Sequence, residues 1–354
     1  MNVYVTKPFL RNRKEFLARV NNILDRDILT NQGPEVQEFE SLCKKYLGVD
    51  YFHYLTNGTI ALQLALKAFD IDDGEVITTP FSYVATTSSI LWERCKPVFV
   101  DIEPDNFTID PDKIEQAITS KTRAIMPVHV FGYACAVDKI NEIGEKYNLP
   151  VIYDAAHAFG SFFKGRALVD YGDAATLSFH ATKLFHTIEG GACIVHNSEL
   201  NHRLDLIKRF GHFSDEHFML GINGKQDEFN AAMGNSLFPY LNEIINLRKK
   251  VSTYYHENLP GCLEYPKTQE ELNYNYAYFP VLYENENELL KSFDRLHKAG
   301  IFPRRYFYPS LNKLPYLNES VRCPVSEDIC SRIACLPLYP DLSEEQLNLI
   351  CHSI

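Results

Sequence analysis

The stretch SFHATKLFHTIEGG, residues 178–191, concentrates reactive side chains. His180, Lys183 and His186 could each do proton chemistry. Lys183 alone among them has an amine that can form a stable imine with an aldehyde, because a histidine ring nitrogen cannot. A single loop lysine is by default a solvated one, so Lys183 has to be weighed with its companions. Ser178, five positions upstream, offers a hydroxyl to a phosphate. VIYDAAHAFG places Asp154 at the end of an apolar strand, where an acid is costly without a partner. Asp154 either caps a following helix or pairs with a protonated ring nitrogen. His157, three residues on, either packs near that acid or is structural. FHYLTNGTIALQLAL reads as strand, then Thr56-Asn57-Gly58-Thr59, then helix. Such a helix start is either a plain cap or an anion site, with Gly58 admitting the anion to the backbone and Thr59 adding a hydroxyl.

The elements that must position these residues follow from the pattern. From about residue 35 to 200 the chain alternates helix-like and strand-like segments. VQEFESLCKKYLG and TIALQLALKAF have apolar residues at helical spacing. GEVITTP, KPVFVDI, RAIMPVHVFG, LPVIYDAA, AATLSF and ACIVH read as strands, and VDKINEIGEKYN as a helix. DPDKIEQAI predicts a helix capped by Asp110 with Pro111 in its first turn. Alternating strands and helices with apolar strands imply an α/β fold with a mostly parallel sheet covered on both faces. The strand ends then gather the loops carrying Gly58, Asp154 and Lys183. After residue 200 the rhythm changes to a long helix (LNEIINLRKKVSTYYHENL), the strand-like YNYAYFPVLY, the helix NELLKSFDRLHKAGI and the Pro/Tyr-rich RRYFYPSLNKLPYL. This divides the chain into a large domain, 1–244, and a smaller α+β domain, 245–354.

Composition removes several classes. Forty-six acids against 35 bases give a net charge of −11, which argues against nucleic acid as the main partner. No apolar run is long enough to span a bilayer, and the N-terminal segment has no apolar core of a signal peptide. The nine cysteines are scattered without a CxxC pair, which suits reduced thiols in a cytoplasm. Neither they nor the 12 histidines fall at metal-ligand spacing, so no metal is expected and a metal-dependent hydrolase lacks support. The Rossmann GxGxxG and Walker patterns are absent.

A helix start suited to an anion, a strand-end acid, and a lysine before a Gly-Gly turn stand in the chain order of a pyridoxal phosphate (PLP) enzyme of the aspartate-aminotransferase fold. The motifs TNGTIALQLAL, TTPFSYVATTSSI, PVFVDI, MPVHVFG, DAAHAFG, SFHATKLFHTIEGG and GINGKQDEFNAAMG, with LTNQGPEVQEFE and CLPLYPDLSEEQ, resemble the sugar aminotransferases of the DegT/DnrJ/StrS family over nearly the whole chain. The resemblance implies PLP fold type I with a seven-stranded, mostly parallel sheet. It implies that Lys183 holds PLP and shuttles the proton. Asp154 would bind the ring nitrogen, Gly58, Thr59 and Ser178 the phosphate, and Tyr83 and His157 would flank the ring. The family is dimeric with shared sites, so Asn223 and Lys225 are candidates to reach the phosphate in a second copy. Gly224-Lys225 stands where many relatives have Tyr-Arg. The amino donor implied is L-glutamate. The acceptor is a nucleotide-linked keto-sugar, with similarity to the viosamine-forming enzymes that aminate dTDP-4-keto-6-deoxyglucose. Acceptors with a 3-keto group or a UDP carrier share the same cofactor motifs. Asn31, Arg305, Tyr306 and Tyr308 are the candidate sugar contacts. A sugar-binding regulator without turnover is the rival from another class, and the intact Lys183 and Asp154 argue against it.

Overall fold

The computed structural model describes residues 2–317 and 321–354. Seven strands position the site: β1 (Tyr51–Leu55), β2 (Glu75–Thr78), β3 (Lys96–Phe99), β4 (Thr122–Met126), β5 (Ile152–Asp154), β6 (Ala174–Ser178) and β7 (Gly191–Val195). One ladder runs β1-β7-β6-β5 and another β3-β2-β4. Parallel bridges Ile125–Val151 and Val128–Asp154 join β4 to β5. Strand β7 is antiparallel to both neighbours, while β2 with β3, β2 with β4, and β5 with β6 pair in parallel. The reversal has a simple cause: the 179–190 connection contains no crossover helix, so β7 can only return beside β6 in the opposite sense. The carboxyl ends of β1, β5 and β6 and the start of β7 therefore meet at one edge of the sheet.

Twelve helices are described: α1 (Arg13–Asp25), α2 (Pro34–Leu47), α3 (Gly58–Ala68), α4 (Ala85–Trp92), α5 (Pro111–Ala117), α6 (Val137–Tyr147), α7 (Ser198–Ile207), α8 (Glu228–Leu237), α9 (Leu241–Asn258), α10 (Glu286–Lys298), α11 (Pro324–Arg332) and α12 (Glu344–Ser353). Alternation along β7 sends Ala192 and Ile194 into one apolar cluster and Cys193 and Val195 into another. The first cluster includes Phe39 and Cys43 of α2, the second Leu62 and Ala65 of α3, so these helices cover opposite faces. Phe39 is fully buried against Phe52, Tyr54, Phe179 and Phe185. Truncating it to Ala would cost about 3–5 kcal/mol. The expected Asp110 cap forms, with its carboxylate accepting from the Asp112 N–H at 3.0 Å.

Two expected strands are shorter than their sequences suggest. RAIMPVHVFG leaves the ladder after Met126, because Pro127 has no N–H to donate, and Val130–Gly132 turns as a 3-10 helix. YNYAYFPVLY forms only β8 (Pro280–Leu282), because Tyr276 takes φ 55° and breaks the extended run. Strand β8 pairs antiparallel with β9 (Ile333–Cys335). A third apolar cluster joins α9, α10, α12, β8 and β9 with Val3, since Val3–Tyr4 pairs in parallel with Ile301–Phe302. The first residues of the chain thus pack with its C-terminal part.

Candidate active site

The loop after β1 enters α3 through Asn57, whose carboxamide oxygen accepts from the Ile60 N–H at 2.9 Å. That cap leaves the N–H groups of Gly58 and Thr59 without a described partner, the usual state of a helix start that receives an anion. Two glycines allow the close packing around it. A Cβ on Gly58 would sit 3.0 Å from the Ser178 Cβ, and one on Gly191 only 2.3 Å from the Asn57 carbonyl. The Gly-Gly after Lys183 therefore serves close approach, with Gly191 backing the helix start from β7. Ser178 ends β6 at the same place.

Asp154 ends β5 and is 4% exposed. The segment after it is a turn, so the helix-cap alternative does not hold. One carboxylate oxygen accepts from the Thr86 hydroxyl at 2.6 Å and the other from the Ala156 N–H at 3.1 Å. Burial pushes its pKa up; those two hydrogen bonds and the Lys183 amine oppose the shift. His157 is buried, and its Nδ1 accepts from the Phe131 N–H at 3.1 Å. Burial drives its pKa well below the usual value, so the ring is neutral. It stacks parallel to Phe307 at 5.6 Å. Tyr83 is 58% exposed at the mouth of the cavity.

The three reactive side chains of the opening stretch separate cleanly. His186 is buried with Nδ1 accepting from the Ile188 N–H at 3.3 Å and Nε2 3.2 Å from the Phe9 carbonyl, so it anchors the loop. His180 receives the Thr182 N–H on Nδ1 at 3.2 Å and turns Nε2 toward Glu189, 3.4 Å away. Lys183 reaches into the cavity, where its Nζ donates to the Tyr278 hydroxyl at 3.3 Å. Burial lowers the amine to about 8, against the pull of the Asp154 carboxylate and Tyr83.

One cavity of about 300 Å³ is lined by Gly58, Thr59, Tyr83, Asp154, His157, Ser178, Lys183 and Tyr306. The remaining expected residues lie outside it. Arg305 is held by Glu286 at 2.7 Å and the Ser331 carbonyl at 2.7 Å, with its guanidinium 3.5 Å over the Tyr308 ring. That pairing uses both Arg305 and Tyr308 away from the cavity wall, which Arg304 joins instead. Asn31 is exposed on the loop before α2. Asn223 and Lys225 hydrogen-bond each other at 3.1 Å on a segment that runs beside Leu55 and Thr56, and neither lines this chain's own cavity. Thr86, Tyr278 and Arg304 join the site without being among the residues that the motifs single out. The TTSS run after Tyr83 held the signal for Thr86, a hydroxyl on the first turn of a helix leaving a strand end. The Tyr278 contact spans 95 positions and leaves no local trace.

The arrangement suits PLP. A helix start with free N–H groups meets a phosphate, a buried carboxylate meets a protonated ring nitrogen, and an amine with a lowered pKa meets an aldehyde. Among the described residues no helix is long and apolar enough to cross a membrane, and no cluster of His, Cys, Asp or Glu could hold a metal ion.

Comparison with known proteins agrees with this chemistry. Residues 11–354 match the DegT/DnrJ/EryC1/StrS aminotransferase family. The chain is 40% identical to a dTDP-4-amino-4,6-dideoxy-D-glucose transaminase of Shigella dysenteriae, covering 99% of this chain and 98% of that one. It is 32% identical to a GDP-perosamine synthase of Escherichia coli O157:H7, covering 95% and 93%. Its fold superposes on the crystal structure of DesI in the presence of its TDP-sugar product with a TM-score of 0.93, at 28% identity, over 99% of this chain and 92% of that one. The chain therefore belongs to the DegT/DnrJ/EryC1/StrS aminotransferase family and is a PLP-dependent aminotransferase.

Proposed function

We propose that the protein transfers the amino group of L-glutamate to dTDP-4-keto-6-deoxy-D-glucose, giving dTDP-4-amino-4,6-dideoxy-D-glucose and 2-oxoglutarate. The observation that carries the reading is the cavity that brings Lys183, Asp154 and the α3 start together. The 40% identical transaminase supports the choice of sugar.

PLP, when bound, supplies the aldehyde that accepts an amino group and a ring that withdraws electrons from the reacting carbon. Lys183 would hold the cofactor, and its Nζ would move a proton to and from the substrate carbon; an amine lowered to about 8 has a usable neutral fraction near neutral pH. Asp154, fixed by Thr86 and the Ala156 N–H, keeps the ring nitrogen protonated. Gly58, Thr59 and Ser178 take the phosphate. Neutral His157 and Tyr83 would flank the ring, and Tyr306 lines the same cavity.

The reading includes a homodimer. Phe210, Phe218 and Leu220 are 53%, 57% and 88% exposed, on the segment that leads to Asn223 and Lys225. Such exposed apolar side chains suit cover by a second copy, which would bring Asn223 and Lys225 toward the neighbour's phosphate, with Asn31 beside that joint. An activated amino sugar of this kind is a building block for surface polysaccharide, such as the O-antigen of lipopolysaccharide, assembled from cytoplasmic precursors.

The test is incubation with PLP, glutamate and dTDP-4-keto-6-deoxy-D-glucose, with the product read by mass spectrometry and NMR. An equatorial 4-amino product is expected. No amination of this sugar, with amination of a UDP-linked or 3-keto sugar, would overturn the assignment.

A further inference from the structure

We propose that Arg304 anchors the substrate by gripping an oxyanion that the substrate carries. This rests on the reading that donor and acceptor both meet at Lys183. Adjacent arginines have opposite fates in this chain. Arg305 is engaged by Glu286 and two backbone carbonyls of the 330–331 segment. Arg304 is exposed, lines the cavity with Lys183, and has no acidic partner among the described residues. The two acids on the same cavity wall are used elsewhere: Asp154 by Thr86 and Ala156, Glu189 by His180.

The backbone of Arg304 is firmly placed, while its guanidinium has no hydrogen-bonding or acidic partner among the described residues. Its N–H donates to the Cys335 carbonyl at 3.2 Å, the Cys335 N–H donates back at 2.8 Å, and the Tyr306 N–H donates to the Arg304 carbonyl at 3.0 Å. The guanidinium lies 5.8 Å from the Tyr306 ring centroid. Tyr306 meets Tyr278 edge-on at 5.8 Å, and the Tyr278 hydroxyl accepts from Lys183. The cation thus stands two rings from the reacting amine on one wall, in a chain of net charge −11 where a cation without an acidic partner at a cavity is informative. A planar five-donor fork fits a carboxylate or a phosphate bidentately. Both chemistries occur in the proposed reaction, as the carboxylates of the amino donor and the diphosphate of the sugar nucleotide.

Calorimetric titration of the PLP-loaded protein with glutarate and, separately, with dTDP-glucose distinguishes the two sources. Neither probe reacts, so binding is read apart from turnover. Arg304→Gln is expected to weaken one probe or both by about 10- to 100-fold, the range of a lost charge-assisted hydrogen bond. Arg304→Lys, which keeps the charge and loses the fork, should fall between. A loss for glutarate assigns the carboxylate, and a loss for dTDP-glucose assigns the diphosphate. The cofactor absorption band checks that each variant is loaded, and if the Gln variant fails to load, the Lys variant decides. Unchanged binding of both probes to a loaded variant overturns the Arg304 inference alone. Failure of the wild-type protein to bind either probe overturns the substrate reading and this inference with it.

Discussion

The lowered pKa of Lys183 is open to direct measurement. Burial brings the amine to about 8 from an ordinary 10.5, while the nearby Asp154 carboxylate pulls it upward. At pH 8 about half of the Lys183 amines would then be neutral, against roughly one in three hundred for an amine at the ordinary value. A neutral amine is the form that attacks an aldehyde and accepts a proton, so this difference sets how readily the residue works near neutral pH. In cofactor-free protein, the rate at which an acylating reagent labels Lys183 should rise with pH to a midpoint near 8. Peptide mass spectrometry reads the site, and exposed Lys146 and Lys164, whose amines are raised from the ordinary value by hydrogen bonds to Glu115 and Asp138, serve as internal standards. Removing the Asp154 charge by Asp154→Asn takes away an influence that raises the amine, so the midpoint should move lower still. A Lys183 midpoint near 10.5, or an upward move in the Asp154→Asn protein, would refute the reasoning.

Thr86→Val removes the 2.6 Å hydroxyl donor to Asp154, a charge-assisted bond of about 1.5–3 kcal/mol, and is expected to raise the Asp154 pKa and weaken PLP binding in a fluorescence titration. Gly191→Ala drives a methyl group to within 2.3 Å of the Asn57 carbonyl, so the melting temperature should drop and the PLP affinity with it, by a stability loss of about 1–3 kcal/mol. Acid should destabilise the fold through its buried histidines. Burial takes His53 and His129 to about 3 from an ordinary 6.5, so the folded state binds fewer protons than the unfolded state between those values. Stability is then complete above pH 6.5 and declines as pH falls toward 3, by about 2 kcal/mol per histidine at pH 5. Denaturant unfolding across that range checks it, and His129→Gln should flatten part of the slope.

Much of this architecture is legible in local pattern. The Asp110-Pro111 helix start, the apolar strands and the order of Gly58, Asp154 and Lys183 rest on short-range rules, and parallel topology gathers their loops at one edge without further information. The antiparallel β7 goes with a connection that contains no crossover helix. What escaped is long-range. Arg304 and Arg305 are indistinguishable by type and neighbourhood, and only the position of Glu286 on α10 decides which one is engaged. Tyr278 meets Lys183 because the segment before β8 packs its ring against Phe131, His157 and Tyr306, which periodicity in an aromatic run does not encode. The shortened strands trace to single residues, Pro127 without a donor and Tyr276 with positive φ.

The central claim is that Lys183 carries the cofactor, and borohydride labelling tests it most directly. The purified protein is mixed with PLP, its visible absorption is recorded, and the sample is reduced with borohydride, digested and mapped. A visible band that disappears on reduction, with the pyridoxyl mass on the peptide containing Lys183 and none after Lys183→Ala, is the predicted result. A label on another lysine, or no band at saturating PLP, would contradict the account.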